Sequence, residues 1–314
     1  MDLTAQRMTA APESGAGTEA KPRLGDRIDA WLPKIVLAPT FVCALVFIYG
    51  YILWTAVLSL TPSRMLPKYE FAGLAQFEAL FANERWWLAL KNLALFGGTF
   101  VLVCLAVGLL LAILLDQRIR GEGFIRSIYL YPMALSFIVT GTAWRWILNP
   151  ELGIERLLHD WGFENARFDW LIDPEMAIYT VVVAAVWQSS GFVMALFLAG
   201  LRGIDDSIIK AAQVDGASMP TIYRRIIIPS LRPVFFSSFM ILTHIAVKSF
   251  DLVMALTNGG PGFASDVPAT FMYSFAFTRN QIGLGAASAM MMLMIVVAVI
   301  VPFMYSELRR PRHG

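Results

Sequence analysis

One stretch of this chain gathers most of the side chains able to do chemistry away from water. Ser237, His244, Lys248, Asp251 and Asn258 follow one another at spacings of seven, four, three and seven residues. On a continuous helix those intervals put all five on one face. The surrounding residues are apolar, and ionisable groups in such a setting are costly unless they face a cavity or a partner. Three uses fit: lining a path for a polar solute, a structural Lys248–Asp251 ion pair across one turn, or a proton or ion site. A second polar island, Trp187, Gln188, Ser189, Ser190 and Gly191, interrupts another apolar run. It suits either the wall of a solute path, with Trp187 and Gln188 facing it, or a close helix crossing built from small residues.

Other chemistries lack their residues. No G-x-x-x-x-G-K-S/T phosphate loop occurs, so a nucleotide would have to be bound by another chain. His159, His244 and His313 are far apart, and Cys43 and Cys104 lie inside apolar runs, so neither a metal site nor a disulfide framework is expected. A formal net charge of +2, with the basic residues scattered, excludes the dense basic face that nucleic acid requires. Catalysis within this polypeptide is not expected, and no cofactor is assigned to it.

The elements that must position these groups follow from hydropathy. With 57% hydrophobic and 15% charged residues and a mean hydropathy of +0.62, most of the chain belongs in lipid. Apolar runs of the length needed to cross a core of about 30 Å predict six spans: Ile35 to Leu60, Leu93 to Leu115, Ile128 to Leu148, Ala177 to Leu201, Val234 to Leu256 and Leu284 to Tyr305. The fold class expected is an all-α polytopic membrane protein, with a six-span domain over 28–306 between a disordered tail, 1–27, and a short C-terminal tail, 307–314. Basic residues crowd alternate segments, among them Arg118, Arg120 and Arg126, then Lys210, Arg224, Arg225 and Arg232, then Arg309, Arg310 and Arg312. By the positive-inside rule these are cytoplasmic, as are both termini. Trp31, Trp54, Trp86, Trp87, Trp144 and Trp146 fall near span ends, where indole rings favour the headgroup level.

Between the fourth and fifth spans, residues 202–233 are too structured in composition for a plain connector. Ile208, Ala211, Ala212 and Asp215 share helical spacing, Gly216 supplies a stop, and an amphipathic stretch reaches Pro229. Small side chains on such a helix suit a groove in another protein; an amphipathic connector lying on the bilayer is the plainer alternative.

The run Ala211-Ala212-Gln213-Val214-Asp215-Gly216-Ala217 followed by Pro229 resembles the EAA motif of permease subunits of binding-protein-dependent ABC importers. Leu198-Ala199-Gly200-Leu201 before it, and Phe250-Asp251 with Leu256-Thr257-Asn258-Gly259-Gly260-Pro261 after it, are similar to the carbohydrate branch, in particular the maltose-transporter-type first permease. The resemblance implies a coupling helix between spans four and five that docks on a cytoplasmic ATPase through Lys210, Ala211, Ala212, Asp215, Gly216, Ala217 and Pro229. It also implies an inner-membrane assembly with a second permease subunit, two ATPase subunits that hold ATP and Mg, and an extracytoplasmic sugar-binding protein. Gly259, Gly260 and Pro261 form an outer loop and a candidate contact for that binding protein. The solute expected is a sugar, with glucose, mannose or a small glucoside suggested by the 265–277 region; an ion-coupled secondary transporter and an ABC permease for another solute are the alternatives. Lys210 departs from the motif, which carries glutamate there, so the charge offered to the ATPase is reversed.

Overall fold

The computed structural model describes residues 34, 36–117, 119–163, 165 and 167–308. The expected N-terminal tail, Trp31, Arg118, Arg309, Arg310, Arg312 and His313 lie outside them. The chain divides into two compact units, residues 1–53 and 54–314. In the first, the described residues are helical, with a wider π turn over Leu45–Tyr49. The contacts discussed below lie within the second.

Among the described residues every regular element is helical. In chain order the helices are α1 (Val36–Ser59), α2 (Ala75–Phe81), α3 (Glu84–Asp116), α4 (Glu122–Leu130), α5 (Phe137–Ile147), α6 (Ile154–Asp160), α7 (Ala177–Arg202), α8 (Asp206–Val214), α9 (Met219–Ser230), α10 (Arg232–Val247), α11 (Phe250–Leu256), α12 (Pro268–Tyr273) and α13 (Ile282–Leu308). Among them α1, α3, α7 and α13 are long and apolar enough to cross a membrane. Two bent pairs reach that standard only if each pair counts as one span: residues 122–134 with α5, bent by 100°, and α9 with α10, bent by 61°.

Two expected spans are broken, the third within the first bent pair and the fifth at a separate point beyond the second. The third does not run straight from Ile128 to Leu148. Leu135 turns extended, and Ser136 starts a new helix by accepting the Val139 N–H through its hydroxyl, the N-capping that Ser favours. The fifth does not run straight from Val234 to Leu256. It stops at Val247, passes through Lys248 and Ser249, and resumes at Phe250. Ser249 sits at φ −74°, ψ 61°, and the Phe250 N–H donates to the Lys248 carbonyl at 2.7 Å, an inverse γ-turn.

The core is centred where α3 lies along α7, with Phe96, Phe100, Phe197, Met194 and Leu252 buried within it. Small residues set the closest approaches, as they do in membrane bundles. A Cβ on Gly191 of α7 would collide with the Tyr129 carbonyl of α4, and one on Gly141 of α5 would meet Ala255 at 2.7 Å. The bent pair is thus held against α7 on one side and α11 on the other. Trp86 departs from the interfacial placement expected of it: it is fully buried and packs edge-on against Phe271, ring centres 5.3 Å apart. Being one residue past Arg85, on the inward side of α3, it serves packing. Trp87 and Trp146 are exposed.

Candidate functional site

The polar stripe of the fifth span faces away from this chain's core: Ser237, His244, Lys248, Asp251 and Asn258 are all exposed. The γ-turn at Ser249, however, splits it into two places. His244, Lys248 and Asp251 line one cavity of about 200 Å³ with Phe137, Ile245, Ser249 and Leu252. Ser237 bonds back to the Pro233 carbonyl of its own helix at 3.0 Å. Asn258 lies at a different cavity, of about 320 Å³, beside Arg85, Phe263, Asp266, Tyr273 and Arg279. Among the described residues no ion pair within 4.0 Å joins Lys248 to Asp251. The helix break between them removes the i, i+3 geometry that would have paired them. The cavity therefore presents a cation donor and a carboxylate acceptor separately, which can bridge two hydroxyls of one solute.

Trp187 and Gln188 part company. Trp187 is exposed and meets Trp144 of α5 edge-on, 6.0 Å between ring centres. Gln188 is buried, and its Nε2 donates to the Leu135 carbonyl at 2.7 Å. That carbonyl belongs to the break in the bent pair, where the helical ladder offers it no partner. In this geometry Gln188 holds the break, and its place on a solute path is not what its side chain shows.

The segment after α7 forms as the residue types dictate. The Asp205 carboxylate accepts the Ser207 N–H at 2.8 Å and opens α8, and that hydrogen bond, with a smaller contribution from Lys210, holds its pKa below the usual carboxylate range. At the other end Gly216 adopts φ +80°, the Ala217 N–H reaches the Ala212 carbonyl at 3.0 Å and the Gly216 N–H reaches Gln213 at 3.0 Å. This is a Schellman closure, which requires the left-handed residue that glycine supplies. Ala212 and Ala217 turn inward with Ile209 against the core. Ala212 therefore does not share the outer face expected of it with Ile208, Ala211 and Asp215, because the Schellman closure draws Ala212 and Ala217 together. Lys210, Ala211 and Asp215 are exposed, with Ile208 and Val214 beside them, while Pro229 sits half-buried in α9. The outward face thus sets Lys210 and Asp215 among small and apolar side chains, all of them exposed.

The outer loop is more closed than a glycine-rich sequence suggests. Gly259, at φ +80°, is buried against Asp266, and the Gly260 N–H is used by the Thr257 carbonyl at 3.0 Å. Ser265 donates to Gly260 at 2.7 Å. The loop is anchored by a pair that sequence reasoning missed. Arg85 donates to Asp266 through Nε at 2.8 Å and through a terminal nitrogen at 3.2 Å, with Asp266 1% and Arg85 14% exposed. Thr270 donates to the same carboxylate at 2.6 Å, Arg85 also donates to Ser274 at 3.1 Å, and its guanidinium lies 4.1 Å from the Phe263 ring centre. Asn92 adds a bond to the Asp266 carbonyl at 2.9 Å. Partners 181 residues apart leave no local signal in a sequence; Asp266 in an otherwise uncharged stretch is the trace that could have prompted a search.

Residues 105–310 match the family described as binding-protein-dependent transport system inner membrane component. A probable ABC transporter permease protein of Pyrococcus horikoshii is 38% identical over 87% of this chain and 95% of its own length. The xylose/arabinose import permease protein XacH of Haloferax volcanii is 34% identical over 86% of each. A crystal structure of a bacterial ABC transporter involved in import of the acidic polysaccharide alginate superposes with a TM-score of 0.79 over 93% of this chain and all of that one, at 22% identity, a likeness of fold.

Proposed function

This chain belongs to the family of inner membrane components of binding-protein-dependent transport systems, and from that premise we propose that it conducts a sugar past His244, Lys248 and Asp251. It is a multi-pass, non-catalytic permease subunit, and ATP hydrolysis belongs to a separate subunit. The observation that carries the reading is the cavity at the Ser249 turn, where a lysine and an aspartate stand apart in the middle of an apolar helix pair. A polyhydroxylated, uncharged solute matches a site with one donor cation and one acceptor anion, and the relation to a xylose/arabinose permease supports a monosaccharide-sized cargo. Within that class glucose, mannose or a small glucoside is the cargo we propose.

The outward face of α8, with Lys210, Ala211 and Asp215, is the surface offered to the ATPase, and the Schellman closure at Gly216 makes the helix stiff enough to transmit a push. Closure of the ATPase pair then biases the two permeases between inward and outward forms, a population shift driven by differential binding. The loop Gly259-Gly260-Pro261, clamped by Arg85 and Asp266, faces the extracytoplasmic binding protein, and a second, different permease covers the exposed polar stripe. The test is uptake into vesicles holding both permeases, the ATPase and the binding protein. Sugar entry driven by ATP with no ion gradient supports the reading, and entry driven by an ion gradient without ATP overturns it. A panel of labelled sugars bound to the partner binding protein decides among glucose, mannose, glucosides and pentoses.

A further inference from the structure

Helix α6 carries an amphipathic pattern whose apolar side is largely exposed among the described residues. Ile154, Leu157, Leu158 and Trp161 recur at i, i+3, i+4 and i+7, while Glu155, Arg156, His159 and Asp160 occupy the opposite face. The polar side is satisfied: Glu155 accepts the Phe168 N–H at 2.9 Å, and Arg156 pairs with Asp160 at 3.2 Å. Leu158 on the apolar side is half-buried, while Ile154, Leu157 at 47% and Trp161 at 67% are exposed. The last turn of α5 adds Trp146 at 71%, and the connection into α6 adds Leu152 at 85%. Trp146, Leu152, Ile154 and Leu157 frame an apolar recess of about 440 Å³. Gly153 presses against the Ile147 carbonyl, with no room for a Cβ, so α6 is folded back onto the end of α5.

We propose that α6 lies in the plane of the bilayer surface and buries Trp146, Leu152, Leu157 and Trp161 at the boundary between headgroups and acyl chains. Three observations select lipid as the occupant. The patch is continuous with α5, half of a bent pair long and apolar enough to cross a membrane if counted as one span, so it follows directly on that segment's end. Its composition is that of an interfacial segment, indoles and leucines on one face and charges on the other. The charged side chains stand on the far face in place of ringing the apolar patch, whereas a protein-docking surface carries a polar rim. The helix thereby fixes the depth of the α5 end opposite Phe137, the residue that borders the Lys248 cavity. This placement needs only the chain's membrane insertion and does not depend on which solute is carried.

The test uses the assembled transporter in phosphatidylcholine/phosphatidylglycerol nanodiscs containing acyl-brominated lipid, in a Cys43→Ser, Cys104→Ala background. A bimane probe is attached at Leu157→Cys on the apolar face or Arg156→Cys on the polar face. Lipid bromine should quench the Leu157 probe at least about twofold more than the Arg156 probe, and aqueous iodide should show the reverse order. Equal quenching at the two positions overturns the proposal. So does a Leu157 probe open to iodide until the soluble binding protein is added, which would make the patch a protein contact. If Leu157→Cys does not assemble, Trp161→Cys replaces it with the same expected order.

Discussion

The Arg85–Asp266 clamp allows its size to be worked from geometry. Charge centres about 4 Å apart interact by roughly 4 kcal/mol at an effective dielectric near 20. Removing one member of a buried pair costs about 3–5 kcal/mol, since the other charge is stranded. Asp266→Ala deletes both guanidinium bonds and the Thr270 acceptor, yet Arg85 keeps the Ser274 hydroxyl and the Phe263 ring face and is 14% exposed. We therefore expect the low end of that range, about 3 kcal/mol. Arg85→Met strands the carboxylate, which retains only the Thr270 hydroxyl among its side-chain donors, and should cost at least as much. The double variant should cost well under the sum, because no charge is left unpaired, giving a coupling energy of about 2 kcal/mol or more. Reversible unfolding of the purified full chain in mixed micelles, run as a four-member cycle, reads these values. Single variants costing less than about 1 kcal/mol, or strictly additive ones, would refute the argument and class the pair with exposed salt bridges.

Four further outcomes follow from the same geometry. Gly216→Val forces a β-branched residue into the left-handed region at a cost of about 1–2 kcal/mol, so sugar uptake should fall while the complex still assembles; Gly216→Asn, which tolerates that conformation, should keep most uptake, and normal uptake in the valine variant would count against a coupling role. Lys248→Met should abolish uptake with the complex intact by size-exclusion chromatography, and a complex that instead falls apart would assign the lysine to assembly. Gln188→Leu removes the hydrogen-bond partner of the half-buried Leu135 carbonyl and should destabilise the chain by about 0.5–1.5 kcal/mol, read as a shift of the unfolding midpoint. For Asp205 the sign is set by its lowered pKa: cap stabilisation is present above the usual carboxylate range and is lost as pH falls through the lowered value. Hydrogen exchange in the first turn of α8 should thus be unchanged in protection between pH 5 and 8, while Asp205→Ala should exchange faster throughout that window.

What the sequence made legible was whatever depends on neighbours along the chain. The runs at Leu93–Leu115 and Ala177–Leu201 are long and dominated by apolar residues, and they lie inside α3 and α7. Gly216 was readable because a left-handed stop after an alanine-rich turn has few alternatives to glycine. The breaks at Leu135 and Ser249 were not, since hydropathy averaged over a span length cannot register one extended residue. Pro132 and Ser136 in the third span held the local clues, a helix breaker and a capping residue set inside an apolar run. Assigning Ala212 to the outer face failed because helical spacing defines a face without saying which way it turns; the core contacts of Ile209 decided it. Trp86 and the Arg85–Asp266 clamp depend on contacts between α3 and residues near 270, which no spacing rule reaches.

The turn at Ser249 also bears on the lifetime of the protein before assembly. Irregular backbone at membrane depth is tolerated only where protein or water covers it, and the Ser249 turn, which follows directly on the apolar helix α10, is flanked by an exposed lysine and aspartate. A copy inserted alone would carry a hydrated notch into hydrocarbon and thin the lipid around it. Such orphans invite recognition by membrane quality-control proteases, so, with the second permease proposed above as the cover, matched synthesis of the two becomes a condition of survival.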